Sequence, residues 1–161
     1  MIIDTTKEIT NIQIMNIANV LGINNNMLKI IMKDQIESIK KNHYYIINLD
    51  NPQGQGTHWT ALICTKNECM YIDSYGTPPP EKISNKLKKM YGKVHFSDFI
   101  IQNIKSVTCG YYSLAFILTY HKYKHLNYTL LQIASKYIDY FDDDTTKNDY
   151  LLSKLYLNVF K

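Results

Sequence analysis

Residues 44–73 read Tyr44-Tyr45-Ile46-Ile47-Asn48-Leu49, then a turn-rich Asp50-Asn51-Pro52-Gln53-Gly54-Gln55-Gly56. Next come Trp59-Thr60-Ala61-Leu62-Ile63-Cys64, a polar Thr65-Lys66-Asn67-Glu68, and Cys69-Met70-Tyr71-Ile72-Asp73. β-branched and aromatic residues fill three short runs, and turn-forming residues separate them. The pattern predicts a three-stranded antiparallel meander.

On the N-terminal side, segment 6–21 places Ile9, Ile12, Ile14, Ile17, Val20 and Leu21 near helical spacing, with Thr6 as cap and Gly22 as stop. Asn24-Asn25-Asn26 reads as a turn, and 27–41 as a weaker helical or irregular stretch. On the other side, Gly76 to Pro80 breaks regular structure, and Glu81 to Tyr91 is a lysine-rich helix with Ile83, Leu87 and Met90 on one side. Phe99-Ile100-Ile101 predicts a further strand. Segment 109–124 is the most apolar helix candidate, expected to be buried on most sides. Helices near 129–139 and 148–160 follow, with Asp142-Asp143-Asp144 in a solvated loop between them. Strands in the middle and helices at both ends predict an α+β fold, a small mixed or antiparallel sheet packed against the helix that starts at Cys109. No repeat or linker divides the chain, so residues 1–161 are expected to form one domain.

Composition narrows the function classes. No apolar run is long enough to cross a bilayer, and Met1-Ile2-Ile3-Asp4 lacks the basic and apolar regions of a signal peptide. An intracellular or particle-packaged protein without membrane contact is expected. Cys64, Cys69 and Cys109 are too few for a disulfide framework. Cys64 and Cys69 lack a second ligand pair at zinc-site distance and read as small apolar residues. All 18 basic residues are lysine, which points to an AT-rich genome and removes the usual residue for bidentate phosphate contacts. The net charge of +4 permits weak, salt-sensitive DNA contact but does not argue for it, and a solvated lysine surface is the favoured reading.

Cys109 follows the non-helical Ser106-Val107-Thr108 and opens the apolar helix, where unpaired N–H groups and the helix dipole favour a thiolate. Gly110 after it would allow close approach of a substrate backbone. His58 opens a strand, so its imidazole can project from the sheet while Trp59 points to the other face. Asp73 closes the strand hairpinned to it, where its carboxylate could accept the imidazole Nδ1 proton. Gln102, seven residues before Cys109, could join the Cys109 N–H in an oxyanion hole. Each residue alone has a plain structural reading: a buried cysteine, a surface histidine, a turn aspartate. His43, His95, His121 and His125 lack comparable links. The i,i+4 pair His121 and His125 reads as the polar end of a helix rather than a metal site, and Gln53, Gln55 and Gln132 have no tie to the thiol.

These four residues, with their contexts, resemble the adenain family of viral cysteine endopeptidases, in the clan that holds the SUMO-specific proteases. Gly56-Thr57-His58-Trp59 resembles the histidine motif, Tyr71-Ile72-Asp73-Ser74-Tyr75-Gly76 before Pro78-Pro79-Pro80 the acidic motif, and Gln102 through Cys109-Gly110-Tyr111-Tyr112 the glutamine-to-cysteine segment. The form carried by virophages and Maverick-type DNA viruses is the most similar. Met32-Lys33-Asp34 and Asn148-Asp149 also look familial. The resemblance implies Cys109 as nucleophile, His58 as base, Asp73 as its orienter, Gln102 as oxyanion donor and Trp59 packed beside the site. It implies a monomeric endopeptidase without cofactor or metal, cleaving viral capsid or structural precursors after small residues, often glycine, during virion maturation. Such an enzyme would work in the host cytoplasm or viral factory and be packaged in the virion. The alternative is an isopeptidase acting on ubiquitin-like modifiers with the same four residues.

Overall fold

The computed structural model describes residues 3–50 and 58–160. Gly56 and Thr57 of the histidine motif, most of the 50–56 turn with Gln53 and Gln55, and the Met1-Ile2 start lie outside the described residues.

Strands β1 (Leu28–Met32), β2 (His43–Asn48), β3 (Trp59–Cys64), β4 (Cys69–Ile72) and β5 (His95–Phe96) lie side by side in that order. β2, β3 and β4 form the expected antiparallel meander; β1 and β5 pair in parallel on its two edges, so the sheet is mixed. Every residue of β3 is buried, because helices cover both faces. On one face Tyr44, Ile46, Ala61, Ile63 and Ile72 pack against α1 (Asn11–Val20), α3 (Cys109–Tyr123) and α4 (Leu130–Asp139). On the other, Tyr45, Ile47, Leu62, Cys64, Cys69 and Tyr71 meet Ile83 and Leu87 of α2 (Glu81–Tyr91). This is the predicted α+β architecture.

The near-continuous apolar run of α3 fits its position: residues Cys109 to Thr119 are all buried. Among the described residues no helix is long and apolar enough to cross a membrane.

Several local expectations need correction. Stretch 27–41 holds strand β1 and a 3-10 helix, Lys33–Ser38, rather than a weak helix. A short apolar run carries no usable period, and the partner that makes it a strand, β2, lies further along the chain. Helix α1 is capped by Thr10, whose hydroxyl accepts from Gln13 N while Gln13 Oε1 accepts from Thr10 N. Thr6 instead donates its hydroxyl to Asp4, 2.5 Å away. Phe99-Ile100-Ile101 is loop. Ile101 N and Gln102 N both donate to Ser74 O, at 2.9 and 3.0 Å, which holds this stretch against the end of β4. The last helix, α5 (Asn148–Lys154), widens into a π-helical turn over Leu155–Val159.

Candidate active site

His58 immediately precedes β3 and Asp73 immediately follows β4, so the antiparallel pairing brings both to the end of the hairpin opposite its 65–68 turn. Helix α3 is pinned to the same end through Trp59. Its backbone N–H donates to Cys109 Sγ at 3.4 Å, and its carbonyl accepts from Ser113 Oγ at 3.1 Å. The three elements thus place thiol, imidazole and carboxylate together.

His58 Nε2 lies 3.0 Å from Asp73 Oδ1. This corrects the expected ring orientation, in which Nδ1 faced the carboxylate. The carboxylate takes Nε2, and Nδ1 is the ring nitrogen left for the thiol. Burial alone would lower the His58 pKa. Hydrogen bonds to Asp73 and to Cys109, with their charges, outweigh burial and raise it to about 9. The imidazole is therefore held as a cation at neutral pH. Asp73, 3 % exposed, accepts a second bond from Tyr75 N at 2.8 Å.

Tyr75 supplies a contact that sequence reasoning missed. Its ring stacks on His58, with centroids 5.3 Å apart and planes inclined by 26°. Its hydroxyl donates to Ser106 O at 3.1 Å, tying the imidazole to the loop before Cys109. The signal lay within the acidic motif, two residues after Asp73. Gly76 closes that turn at φ +71°, and a Cβ there would meet Asp98 O at 2.6 Å, so only glycine fits.

Gln102 is buried, with its amide fixed at both ends. Ser74 Oγ donates to Oε1 at 2.5 Å, and Nε2 donates to Ser106 O and Oγ at 3.1 and 3.2 Å. These bonds link it to the loop that delivers Cys109 and take up both of its N–H donors, so the structure places Gln102 as a brace of that loop rather than as the expected oxyanion donor.

Gly110 does not leave room for a substrate backbone. A Cβ there would lie 2.2 Å from Ile9 Cγ2 and 3.0 Å from Trp59 Cδ1, so the chain's own N-terminal segment fills the space. Trp59 is buried beside Cys109 as expected. The open approach is a cavity of about 520 Å³ walled by Cys109, Trp59, Val107, Asn48 and Glu8. A larger cavity of about 880 Å³ lies along β1, and none of His58, Asp73 and Cys109 lines it.

The competing residues are placed elsewhere. Cys64 and Cys69 face each other across β3 and β4, and burial pushes their thiols up to about 12 and about 11. His121 Nδ1 sits 3.2 Å from the Tyr44 hydroxyl. Asp142, Asp143 and Asp144 are exposed.

An α+β fold with a thiol, an imidazole and a carboxylate joined at one sheet end defines the class to which the chain is compared. No protein-family model and no curated protein matches it. Its fold is similar to the crystal structure of a protease from African swine fever virus (ASFV), at TM-score 0.57 and 19% identity over 97% of this chain and 68% of that one. A selenomethionine structure of the same ASFV protease matches at TM-score 0.43 and 21% identity, over 73% of this chain and 44% of that chain. The central domain of an uncharacterized Legionella pneumophila protein matches at TM-score 0.42 and 14% identity, over 96% and 98% of the two chains.

Proposed function

We propose that this protein is a cysteine endopeptidase of the adenain-like viral type. The observation that carries the reading is the chain of contacts from Cys109 through His58 to Asp73, with His58 held as a cation to about pH 9. The likeness of the fold to a viral protease supports it.

In this reading the Cys109 sulfur attacks the scissile carbonyl, forming the C–S bond, and the carbonyl oxygen becomes an oxyanion. Backbone N–H groups at the start of α3 would receive that charge, since both Gln102 Nε2 protons are already given to Ser106. His58, protonated, gives its proton to the leaving amine as the C–N bond breaks, and then draws a proton from the water that hydrolyses the thioester. Asp73 keeps the ring oriented through Nε2 and stabilises its cationic form. The substrates proposed are capsid or other structural precursors, cut after small residues during virion maturation in the viral factory or the particle.

The test is incubation of wild type and Cys109→Ala with capsid precursors encoded by the same genome, followed by mass mapping of new termini. New termini with wild type only are expected. Their absence, together with cleavage of ubiquitin-like fusions, would move the assignment to an isopeptidase.

A further inference from the structure

Residues 101–108 carry Gln102 near one end and deliver Cys109 at the other, without regular secondary structure to hold them. The chain's C-terminal segment holds them instead. Asn148, fully buried, donates from Nδ2 to Ile101 O at 2.7 Å and to Asp142 O at 2.9 Å, and accepts from Asp142 N at 2.8 Å. Its neighbour Asp149 reaches the other end of the loop. Asp149 Oδ1 accepts from Ser106 Oγ at 2.9 Å, Thr108 Oγ1 at 3.2 Å and the Tyr112 hydroxyl at 2.9 Å.

We propose that Asp149 is a positioning residue for the thiol site, fixing the Gln102 amide through Ser106 and the start of the Cys109 helix through Thr108 and Tyr112. The proposal rests on the thiol-peptidase reading above. Its logic is the direction of the protons. An ionised carboxylate only accepts, so it draws the Ser106 proton at 2.9 Å in competition with the Thr108 hydroxyl, 2.8 Å from Ser106 Oγ. The Ser106 oxygen is then presented as an acceptor to Gln102 Nε2 at 3.2 Å and to Thr108 N at 3.3 Å. Ser106 O, which accepts from both Tyr75 and Gln102, completes the clamp. Bonds to a charged acceptor are roughly twice as strong as neutral ones, so one carboxylate can hold three donors from two elements. A plainer role for Asp149, an acidic residue in the first turn of α5, would affect stability alone.

Two chemical probes separate these roles. Iodoacetamide alkylates sulfur by displacing iodide, and no oxyanion forms. N-acetylglycine p-nitrophenyl ester is attacked at its carbonyl. A C–S bond forms, an oxyanion appears, and the C–O bond breaks to release p-nitrophenolate. In Asp149→Ala the ester rate is expected to fall about tenfold to thirtyfold, with alkylation of Cys109 within about threefold of wild type. Ser106→Ala should lose about as much ester rate, and the double variant no more than either single one. Asp149→Asn, which keeps the shape and one acceptor oxygen, should show the same sign with a smaller loss and serves if the alanine variant unfolds.

An unchanged ester rate, equal losses with both probes, or multiplying losses in the double variant would overturn the proposal while leaving the peptidase reading intact. A wild type that releases no p-nitrophenolate beyond Cys109→Ala would remove both.

Discussion

Cys64 ends strand β3, whereas Cys109, the first residue of α3, packs against the strand's other end at Trp59, and the surroundings of the two thiols differ. Cys64 ends the strand opposite Cys69, in the apolar layer under α2, where burial pushes the two thiols up to about 12 and about 11. Cys109 is buried to a similar degree, 6 % exposed against 2 % for Cys64. It nevertheless starts a helix, receives the Trp59 N–H, and shares a hydrogen bond with an imidazole backed by a carboxylate. Burial alone silences a thiol. Burial with aligned donors and a neighbouring imidazole is the setting that the proposed nucleophile requires.

The most severe way to break this comparison is to remove each sulfur in turn. Cys109→Ala should abolish peptide cleavage and leave the fold intact, whereas Cys64→Ala and Cys69→Ala should keep activity within about twofold. Iodoacetamide at neutral pH should modify Cys109 at least about a hundredfold faster than either hairpin cysteine, read by peptide mapping. Cleavage by Cys109→Ala would end the assignment of roles.

Asp73→Asn acts one contact further out. It keeps an acceptor for Tyr75 N but no longer supports a charged imidazole, and cleavage should fall on the order of a thousandfold. The pH profile carries the sign. Folding raises the His58 pKa from 6.5 to about 9, so the imidazolium's contribution to stability is complete below 6.5 and is lost as pH rises through 9. Wild-type activity should fade over the same alkaline limb. In Asp73→Asn that limb should move down toward the ordinary histidine range. A limb fixed at about 9 in both proteins would mean that another group titrates there.

The sequence made the meander, both faces of α2 and the identity of the His58, Asp73 and Cys109 cluster legible, because each rests on local pattern or on a motif. What it concealed depended on partners distant in the chain. Strand β1 becomes a strand only beside β2, and Phe99-Ile100-Ile101 is loop, its end fixed where Ser74 O takes the Ile101 and Gln102 amides. The nitrogen that meets Asp73 is a matter of ring rotation. Gly110 looked like room for substrate because the residue that fills it, Ile9, lies about a hundred residues earlier. Asn148-Asp149 was visible as a familial dipeptide, but its hold on the loop before Cys109 is purely tertiary.

Gly110→Ala tests that packing with a smaller effect. The new methyl gains helix propensity of about 1 kcal/mol, but at 2.2 Å from Ile9 Cγ2 it forces Ile9 and Trp59 to move. Overpacking of this kind costs about 1–3 kcal/mol, so a net loss of stability is expected in urea unfolding. Because Trp59 also donates to Cys109 Sγ, alkylation should slow as well. Adding Ile9→Ala should restore part of both. If the double variant is no better than the single one, the clash is not the cause.

The smallest effect belongs to the silent end of β3. Cys64→Ala removes one buried sulfur and should cost about 1 kcal/mol, without altering cleavage. Cys64→Ser has nearly the same shape but exchanges a weakly polar thiol for a hydroxyl in an apolar layer, and should cost more than the alanine. The ordering identifies what the hairpin asks of this residue. Alanine tolerated better than serine means that Cys64 serves as a small hydrophobe. Serine tolerated better than alanine would mean that its polar S–H is in use, and the contrast with Cys109 would then be one of degree rather than kind.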